Sequence, residues 1–311
     1  MKTSIVALLV VFGLVLSVYG DDYPISPRPL RMLVEESQYI ITGRVTEIIE
    51  LQRKEKKITY TDHYAVISVV DVLQGDISAN EVRVAFEPNM ICPSPPTYIP
   101  GTTVIAFLDK HKEEYVTHAL SYGAKIVSDS ALKVYKVRIA EIQRINKMTD
   151  GLDKFMATVE WLVRCAENPD TRWEGTYELS PQSDFMSYYS RTEHLPFSSM
   201  LSAEQRGRLK TALFAAKNAE SVDLGLADLV YVGNEKEVHS YLLTALKNIS
   251  GSGYYFVGAL MDRLKLLTND PHLDKLMKRY DAICWEHGKE AEKKKIIAEF
   301  VAVLEKPMTQ R

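Results

Sequence analysis

Hydrophobic and polar residues alternate with the period of β-strands in the first half of the chain, from Tyr39 to about Val137. The run at 64–72 is apolar on both faces, as expected of a central strand, whereas the run at 81–86 alternates like a half-buried strand. A helix-like run at 30–37 precedes them. We therefore predict a small barrel of short strands, with strands at residues 39–48, 64–72, 81–86, 103–108 and 114–118.

After Arg138 the apolar residues recur every three or four positions, which is the period of an amphipathic helix. Asn234 and Glu237 precede one of these stripes in the arrangement of a capping box. The pattern predicts an all-helical domain, built as an array of antiparallel helix pairs. The apolar stripes begin at Leu152, Val238, Phe256, Leu273 and Ile296.

Together these patterns predict an α+β chain with more than one domain, in which an OB-like β-barrel is followed by an all-α array. A chain of 311 residues has room for two domains of about 150 residues each. The predicted parts are a barrel domain at 21–137, connecting helices at 138–167, an aromatic-rich strap at 168–201 and a helical domain at 202–311.

The strap fits neither period, and a long irregular connection in a compact protein is usually functional or disordered. Its aromatic residues favour packing over disorder. Aromatic rings beside polar groups are enriched at interfaces, which predicts a binding surface for a peptide or a carbohydrate. The alternative is a structural strap that seals the junction between barrel and helices. The candidate binding residues are Arg172, Trp173, Glu174, Tyr177, Asp184, Tyr188 and Tyr189.

A second candidate is the loop around Cys92, where prolines at positions 93, 95 and 96 hold the backbone extended. It is either a recognition or redox loop or a rigid connector, and we include Cys92 and Tyr98 among the candidate binding residues. The other cysteines are Cys165 and Cys284. Three cysteines allow one disulfide and one free thiol, and the sequence does not choose among the three possible pairs.

The N-terminus has the pattern of a secretory signal peptide, with Lys2, an apolar run at 5–16, and small or modest residues before Asp21. An uncleaved membrane anchor is the alternative, but a membrane span needs about 20 apolar residues and this run is shorter. We predict cleavage after Gly20, a secreted or periplasmic location, and no stable membrane insertion of the mature protein.

Charge and motifs restrict the possible functions. The 38 basic and 41 acidic residues give a net charge of −3, without the basic excess that favours binding to nucleic acid. The sequence contains no nucleophile elbow, phosphate loop or metal-ligand spacing. We therefore predict no cofactor, no metal and no catalytic residues, and the oligomeric state stays open.

Three segments of the strand-rich region carry a family resemblance: Ile41-Thr-Gly-Arg-Val45, Val72-Leu-Gln-Gly75, and Cys92-Pro-Ser-Pro-Pro-Thr-Tyr98 with Val104-Ile-Ala-Phe-Leu108. Over residues 30–137 the chain resembles the netrin-like, OB-type barrel of the tissue inhibitors of metalloproteinases, as it occurs in secreted bacterial proteins. The resemblance implies an OB barrel that binds other proteins. Those inhibitors chelate zinc through an N-terminal cysteine, and this chain has no cysteine before Cys92, so we expect no inhibition by chelation.

These features favour a secreted, non-catalytic interaction protein that presents a composite barrel-and-helix surface to a protein or peptide partner. The alternative is a hydrolase-like enzyme with a site at the domain junction, near residues 172–194. A deep cleft with converging carboxylates or a His–carboxylate contact would favour the enzyme, whereas a shallow aromatic groove would favour binding.

Overall fold

The computed structural model of the chain describes residues 26–306, except 56–57, 91–93, 185–194, 196, 217–218, 250–253, 267 and 269. The predicted signal peptide and Cys92 therefore lie outside the described residues. The chain divides into two compact units. We call them the sheet unit, formed by Met1–Gln143 and Asp184–Leu195, and the helical unit, formed by Arg144–Ser183 and Pro196–Arg311.

The sheet unit begins with a short helix and continues with six strands that form one sheet. All five predicted strands are present, and β1 and β2 are longer than predicted, with 17 residues each. The elements are α1 (Leu30–Glu36), β1 (Tyr39–Glu55), β2 (Ile58–Gln74), β3 (Glu81–Phe86), β4 (Thr103–His111), β5 (Glu114–Thr117) and β6 (Ala124–Ile126).

The strands pair in an order that differs from their order along the chain. β1 pairs antiparallel with both β2 and β4, and β2 pairs antiparallel with β3. β5 pairs parallel with β3 and antiparallel with β4, which also pairs with β6. The alternation in the sequence is preserved, because Val82 and Val84 of β3 are buried while Glu81 and Arg83 are exposed. The buried side chains form one hydrophobic cluster that includes Ile41, Val45, Ile67, Val84, Val104, Ala106 and Leu108.

A side chain of β2 holds the end of α1. The amide of Gln74 donates to the carbonyl oxygens of Val34, at 3.2 Å, and Ser37, at 2.7 Å. Carbonyl groups in the last turn of a helix have no partner within the helix, so Gln74 satisfies groups that burial would otherwise leave unpaired. Leu30 and Leu33 of this helix are fully buried.

Nine α-helices follow the sheet in the described chain, which confirms the prediction of an α+β protein with its strands first and its helices after. In the helical unit α3 packs on α4 and α5, α7 packs on α8 and α10, and α9 packs on α8 and α10. The helices are α2 (Asp129–Asn146), α3 (Gly151–Glu167), α4 (Arg172–Leu179), α5 (Ala203–Ala215), α6 (Asp223–Val230), α7 (Glu235–Lys247), α8 (Tyr254–Leu266), α9 (Pro271–Ile283) and α10 (Glu290–Leu304).

The predicted change of period at Arg138 is wrong in position, because α2 begins at Asp129. Burial follows helical spacing, since Ala131, Tyr135 and Ile139 are buried at intervals of four residues.

The prediction that the strap lacks regular structure is also wrong for its described part. Residues 172–179 form α4, with short 3-10 turns at Pro169–Thr171 and Pro181–Ser183. Every residue of α4 except Trp173 is buried, including charged ones. Polar and apolar residues are both buried around this helix, so its sequence shows no amphipathic stripe.

The capping box predicted for α7 does not form. Asn234 is the N-cap residue of α7, but its side chain makes no capping hydrogen bond. Its amide donates to the carbonyl of Val230, at 2.8 Å, and its oxygen accepts from Lys210. A capping box instead joins Ser202 and Gln205 at the start of α5.

Gly175 permits α4 to lie directly against α3. A Cβ atom at this position would come within 2.3 Å of the Leu162 oxygen and 2.5 Å of the Ala166 nitrogen. Both are backbone atoms, so no side-chain rotation can relieve the overlap. The sequence therefore sets the distance between these two helices through one glycine.

Replacing Gly175 by alanine should destabilise the protein, because α4 would have to move away from α3. We expect Gly175→Ala to lower the free energy of unfolding by about 1 to 3 kcal/mol, the usual cost of overpacking, as measured by urea denaturation. Gly207→Ala is the matched control, since this helical glycine has no atom within 4 Å of the added Cβ. The control should gain up to about 1 kcal/mol from helix propensity. Equal effects of the two substitutions would contradict the close packing.

Candidate functional site

A groove open to solvent lies between α5 and α7 in the helical unit. Its volume is about 410 Å³. The first of these helices contributes two side chains and the second contributes four, and the lining residues are Lys210, Phe214, Glu237, Ser240, Tyr241 and Thr244. Leu209 and Leu213 turn the other face of α5 inward and are fully buried.

Two aromatic rings form the apolar wall of the groove. The centroids of Phe214 and Tyr241 are 5.7 Å apart and their planes are nearly perpendicular, at 86°. Edge-to-face packing of this kind is favoured because the positive edge of one ring meets the negative face of the other. Phe214 is 36% exposed, so the groove leaves a large apolar side chain accessible to a ligand.

The hydroxyl group of Tyr241 points away from solvent. It is buried and has no hydrogen-bond partner among the described residues. Burial raises the pKa of Tyr241 well above its usual value, and the negative charge of Asp223 raises this pKa further, while Arg172 opposes the shift. The phenol is therefore neutral at any physiological pH, and its ring is the part that can serve the groove.

Lys210 forms the polar rim of the groove. Its ammonium group donates to Oδ1 of Asn234 and, at 3.0 Å, to Oε2 of Glu237. It lies 6.0 Å from the centroid of the Phe214 ring, within reach of a cation–π attraction. An ammonium group has three N–H donors, so these described contacts leave one donor for a ligand oxygen.

A buried ion pair supports the helices behind the groove. Arg172, at the start of α4, donates through Nη1 to Oδ1 of Asp223, and their side chains are only 7% and 3% exposed. Arg172 also donates to the carbonyls of Ala166, at 3.2 Å, and Ala212, at 3.4 Å. The second oxygen of Asp223 accepts from the Glu220 N–H, at 2.8 Å. One guanidinium thus contacts α3, α5 and α6.

The structure places most of the predicted strap residues inside the helical unit. Arg172, Glu174 and Tyr177 are buried, with exposures of 6%, 2% and 2%. Trp173 is half-buried and packs on the ring of Tyr177, with the centroids 5.4 Å apart. These residues share one short helix, but they line its packed surfaces, and a binding role for them stays a prediction.

The other predicted residues do not join this set. Asp184 belongs to the sheet unit, where burial and then the Asp184 charge raise the pKa of Tyr122 to about 12. Tyr98 is buried in the sheet core, and its hydroxyl lies 2.7 Å from that of Thr117. The remaining candidates lie outside the described residues: Cys92, Tyr188 and Tyr189. Among the described cysteines, Cys165 and Cys284 are both buried and no disulfide joins them.

Sequence reasoning missed Lys210 and Phe214. Tyr241 lies in the apolar stripe that begins at Val238, but the sequence pattern does not show its exposed neighbour on α5. A signal exists in the spacing, because Lys210 and Phe214 are four residues apart and follow the buried Leu209 and Leu213 by one position. Two parallel stripes of this kind on one helix indicate a second, partly exposed face.

The sheet unit contains a His–carboxylate contact, the arrangement that would favour an enzyme. Nδ1 of His118 lies 2.7 Å from Oδ2 of Asp109, and Nε2 lies 3.2 Å from Oε2 of Glu36. Glu36 also accepts from Arg28, at 2.8 Å. An imidazole whose two nitrogens both face carboxylates is a double donor, which requires the charged form and leaves no lone pair to accept a proton. The geometry therefore suits a clamp between α1 and β4.

The pKa values of the clamp agree with this geometry. Partial burial by itself lowers the pKa of His118, but the hydrogen bonds to Glu36 and Asp109 outweigh it and raise this pKa above its usual value. Burial by itself raises the pKa of Glu36, but the contacts with His118 and Arg28 outweigh it and hold this pKa below its usual value. Both groups therefore keep their charges in the contact.

Comparison with known proteins does not assign this chain to a family. No protein-family model matches the chain, and no curated protein matches its sequence. Among the described residues, no group of three or more His, Cys, Asp or Glu side chains is arranged to hold a metal ion. In the same part of the chain, no helix has the length and the apolar character needed to cross a membrane.

The clamp predicts a pH-dependent stability. Because the pKa of His118 is raised on folding, its contribution is fully present below about pH 6.5 and is lost as the pH rises through the folded pKa. The contribution of Glu36, whose pKa is lowered, is present above about pH 4.3 and is lost as the pH falls through the folded value. The clamp should therefore stabilise the fold most between these limits.

We expect His118→Gln to lower the free energy of unfolding by about 1 kcal/mol at pH 6 and by less at pH 9, measured by urea denaturation at both pH values. His111→Gln, which removes an exposed imidazole at the end of β4, is the control and should have a small effect at both. A larger loss for His118→Gln at pH 9 than at pH 6 would contradict a clamp between charged groups.

Proposed function

We propose that this chain is an exported, non-catalytic binding protein, and that the groove between α5 and α7 receives an apolar side chain from a protein or peptide partner. The observation that carries the proposal is the accessible Phe214–Tyr241 pair in an open groove of about 410 Å³. Ligand sites have volumes of about 300 to 1,000 Å³ and are lined mainly by apolar and aromatic side chains. Aromatic residues also dominate binding energy at protein interfaces.

The shape and polarity of the groove favour a peptide over a carbohydrate. The two rings meet edge to face, at 86°, so they do not form two parallel faces between which a sugar ring could stack. An extended peptide offers both an apolar side chain for the rings and a carbonyl oxygen for the remaining N–H donor of Lys210. Ser240 and Thr244 are further polar residues that line the groove, and the Thr244 hydroxyl donates to the Ser240 carbonyl at 2.8 Å.

The hydrolase-like alternative near residues 172–194 has less support. In the described part of this segment Arg172 and Glu174 are buried, and Arg172 is engaged by Asp223. A catalytic acid or base must lie within hydrogen-bond reach of a substrate atom. An open aromatic groove is instead the feature that favours binding.

For the sheet unit we propose a five-stranded OB-type barrel, with the netrin-like resemblance as its family context. The pairings support closure, because β1 pairs with β2, β2 with β3, β3 with β5, β5 with β4, and β4 with β1 again. The parallel pair between β3 and β5 is the one departure from antiparallel order in this ring. OB folds are Greek-key barrels that bind ligands, which is compatible with a binding protein.

We also propose that the protein is exported and that the helices of the helical unit form an array of helix pairs. The signal-like residues 1–20 support a secreted or periplasmic location. The successive packing of the helices in the helical unit supports an array of neighbouring helix pairs. With a net charge of −3, a protein or peptide is a more suitable partner than nucleic acid.

The groove can be tested with a peptide library displayed on phage and selected on the purified protein. We expect selected peptides to share an aromatic or large aliphatic side chain, and isothermal titration calorimetry to give at least about tenfold weaker binding to Phe214→Ser, from the loss of about 1.5 kcal/mol or more of apolar contact.

Leu266→Ser is the matched control, because Leu266 is 75% exposed on α8 and does not line the groove. It should bind the same peptides within about twofold of the unmodified protein, as a surface change remote from the contact does. Equal binding by Phe214→Ser and the unmodified protein, or a selection without apolar enrichment, would contradict the proposal.

A further inference from the structure

Strands β1 and β2 continue beyond the rest of the sheet as a two-stranded arm, which we define as residues 46–55 and 58–62. β1 pairs with β4 only over residues 39–44, and β2 pairs with β3 only over residues 63–68. In the described chain the outer edge of β1 has no strand partner from residue 46 onward, although its inner edge pairs with β2 as far as residue 55.

The arm is exposed on both faces. Leu51 is 49% exposed and Tyr60 is 41% exposed. Arg53 packs over the Tyr60 ring, 5.5 Å from its centroid, and donates to Asp62 at 3.1 Å. An isolated two-stranded hairpin is marginally stable in water, and a long exposed edge offers unpaired backbone groups to another strand. A further strand would therefore stabilise the arm, and the unpaired backbone groups at its edge could bind that strand.

The charged side chains along the outer edge of β1 are arranged so that two copies of this edge can pair opposite charges. Glu50 precedes Gln52 by two residues and Lys54 follows it by two. All three are exposed, and they share one face because side chains alternate along a strand. When two copies of this edge pair antiparallel about a two-fold axis at Gln52, the Glu50 of each copy faces the Lys54 of the other.

Neighbouring registers match the charges less well. An axis at Glu50 pairs each Glu47 with an Arg53, but it brings the two Glu50 side chains together, and Arg53 already donates to Asp62 of its own copy. An axis at Leu51 places Glu50 opposite Gln52. Directly facing side chains of an antiparallel pair lie on the same face of the sheet, so their charges can be compared position by position. The register at Gln52 therefore forms two symmetric ion pairs, and on the opposite face it covers each Leu51 with the Arg53 stem of the second copy.

We propose that two copies of this chain associate through the outer edge of β1, antiparallel and centred on Gln52. The contact continues the β1–β2 arms of both copies into one four-stranded sheet. It is isologous, because each copy contributes the same residues. The proposal is independent of the groove between α5 and α7, which lies in the helical unit.

The association is tested by sedimentation velocity on the purified full chain at about 1 to 100 µM, a range over which mass action should shift a weak dimer. We expect a dimer that weakens at high salt, as exposed ion pairs do. Lys54→Glu places like charges opposite each other twice and should raise the dissociation constant by at least about tenfold. Lys133→Glu makes the same charge change at an exposed position of α2 and should leave it unchanged.

Charge exchange separates this contact from a folding defect. The double variant Glu50→Lys with Lys54→Glu should dimerise again within about threefold of the unmodified protein, because the ion pairs are restored in reverse. Glu50→Lys and Lys54→Glu should each be monomeric alone and should associate when mixed. A monomer throughout the concentration range, a dimer indifferent to Lys54→Glu, or a mixture that stays monomeric would overturn the proposal.

Discussion

The buried ion pair between Arg172 and Asp223 is the interaction on which the helical unit depends. Burying two charges is costly unless further hydrogen bonds satisfy both groups. The carbonyls of Ala166 and Ala212 do this for the guanidinium, and the Glu220 N–H does it for the carboxylate. Losing one partner would leave an unpaired buried charge at a cost of about 3 to 5 kcal/mol. Through this pair α3, α4, α5 and α6 hold one another in place.

The groove lies on another face of α5, one of these helices. Ala212 turns its carbonyl toward Arg172, whereas Phe214 and Lys210 of the same helix line the groove. Tyr241 connects the two environments, because its ring forms the groove wall and its pKa is affected by the charges of the ion pair. A rigid, fully bonded interior therefore supports an apolar surface that stays accessible, as pre-organised binding requires.

The sequence predicted the elements whose burial is one-sided. β3 alternates because Val82, Val84 and, in part, Phe86 face the core, and the stripes of the later helices follow from the same physics. α4 could not be predicted, since burial on all sides removes the amphipathic signal. The groove could not be predicted either, because Phe214 and Tyr241 belong to different helices and meet only after folding. Asn234 is a further example. Its spacing to Glu237 predicted a capping box, but its side-chain oxygen accepts from Lys210, which lies on another helix.

The most direct test of this account is amide hydrogen exchange of the purified protein, followed by mass spectrometry across residues 172–179. If Arg172 and Asp223 hold α4 inside the helical unit, the amides in its last turn should exchange only through global unfolding. Their protection should then match that of residues 161–166 in α3, which are buried except for Arg164. Exchange as rapid as in a free peptide, with α3 still protected, would mean that α4 is not held in place and would contradict the central role of the ion pair.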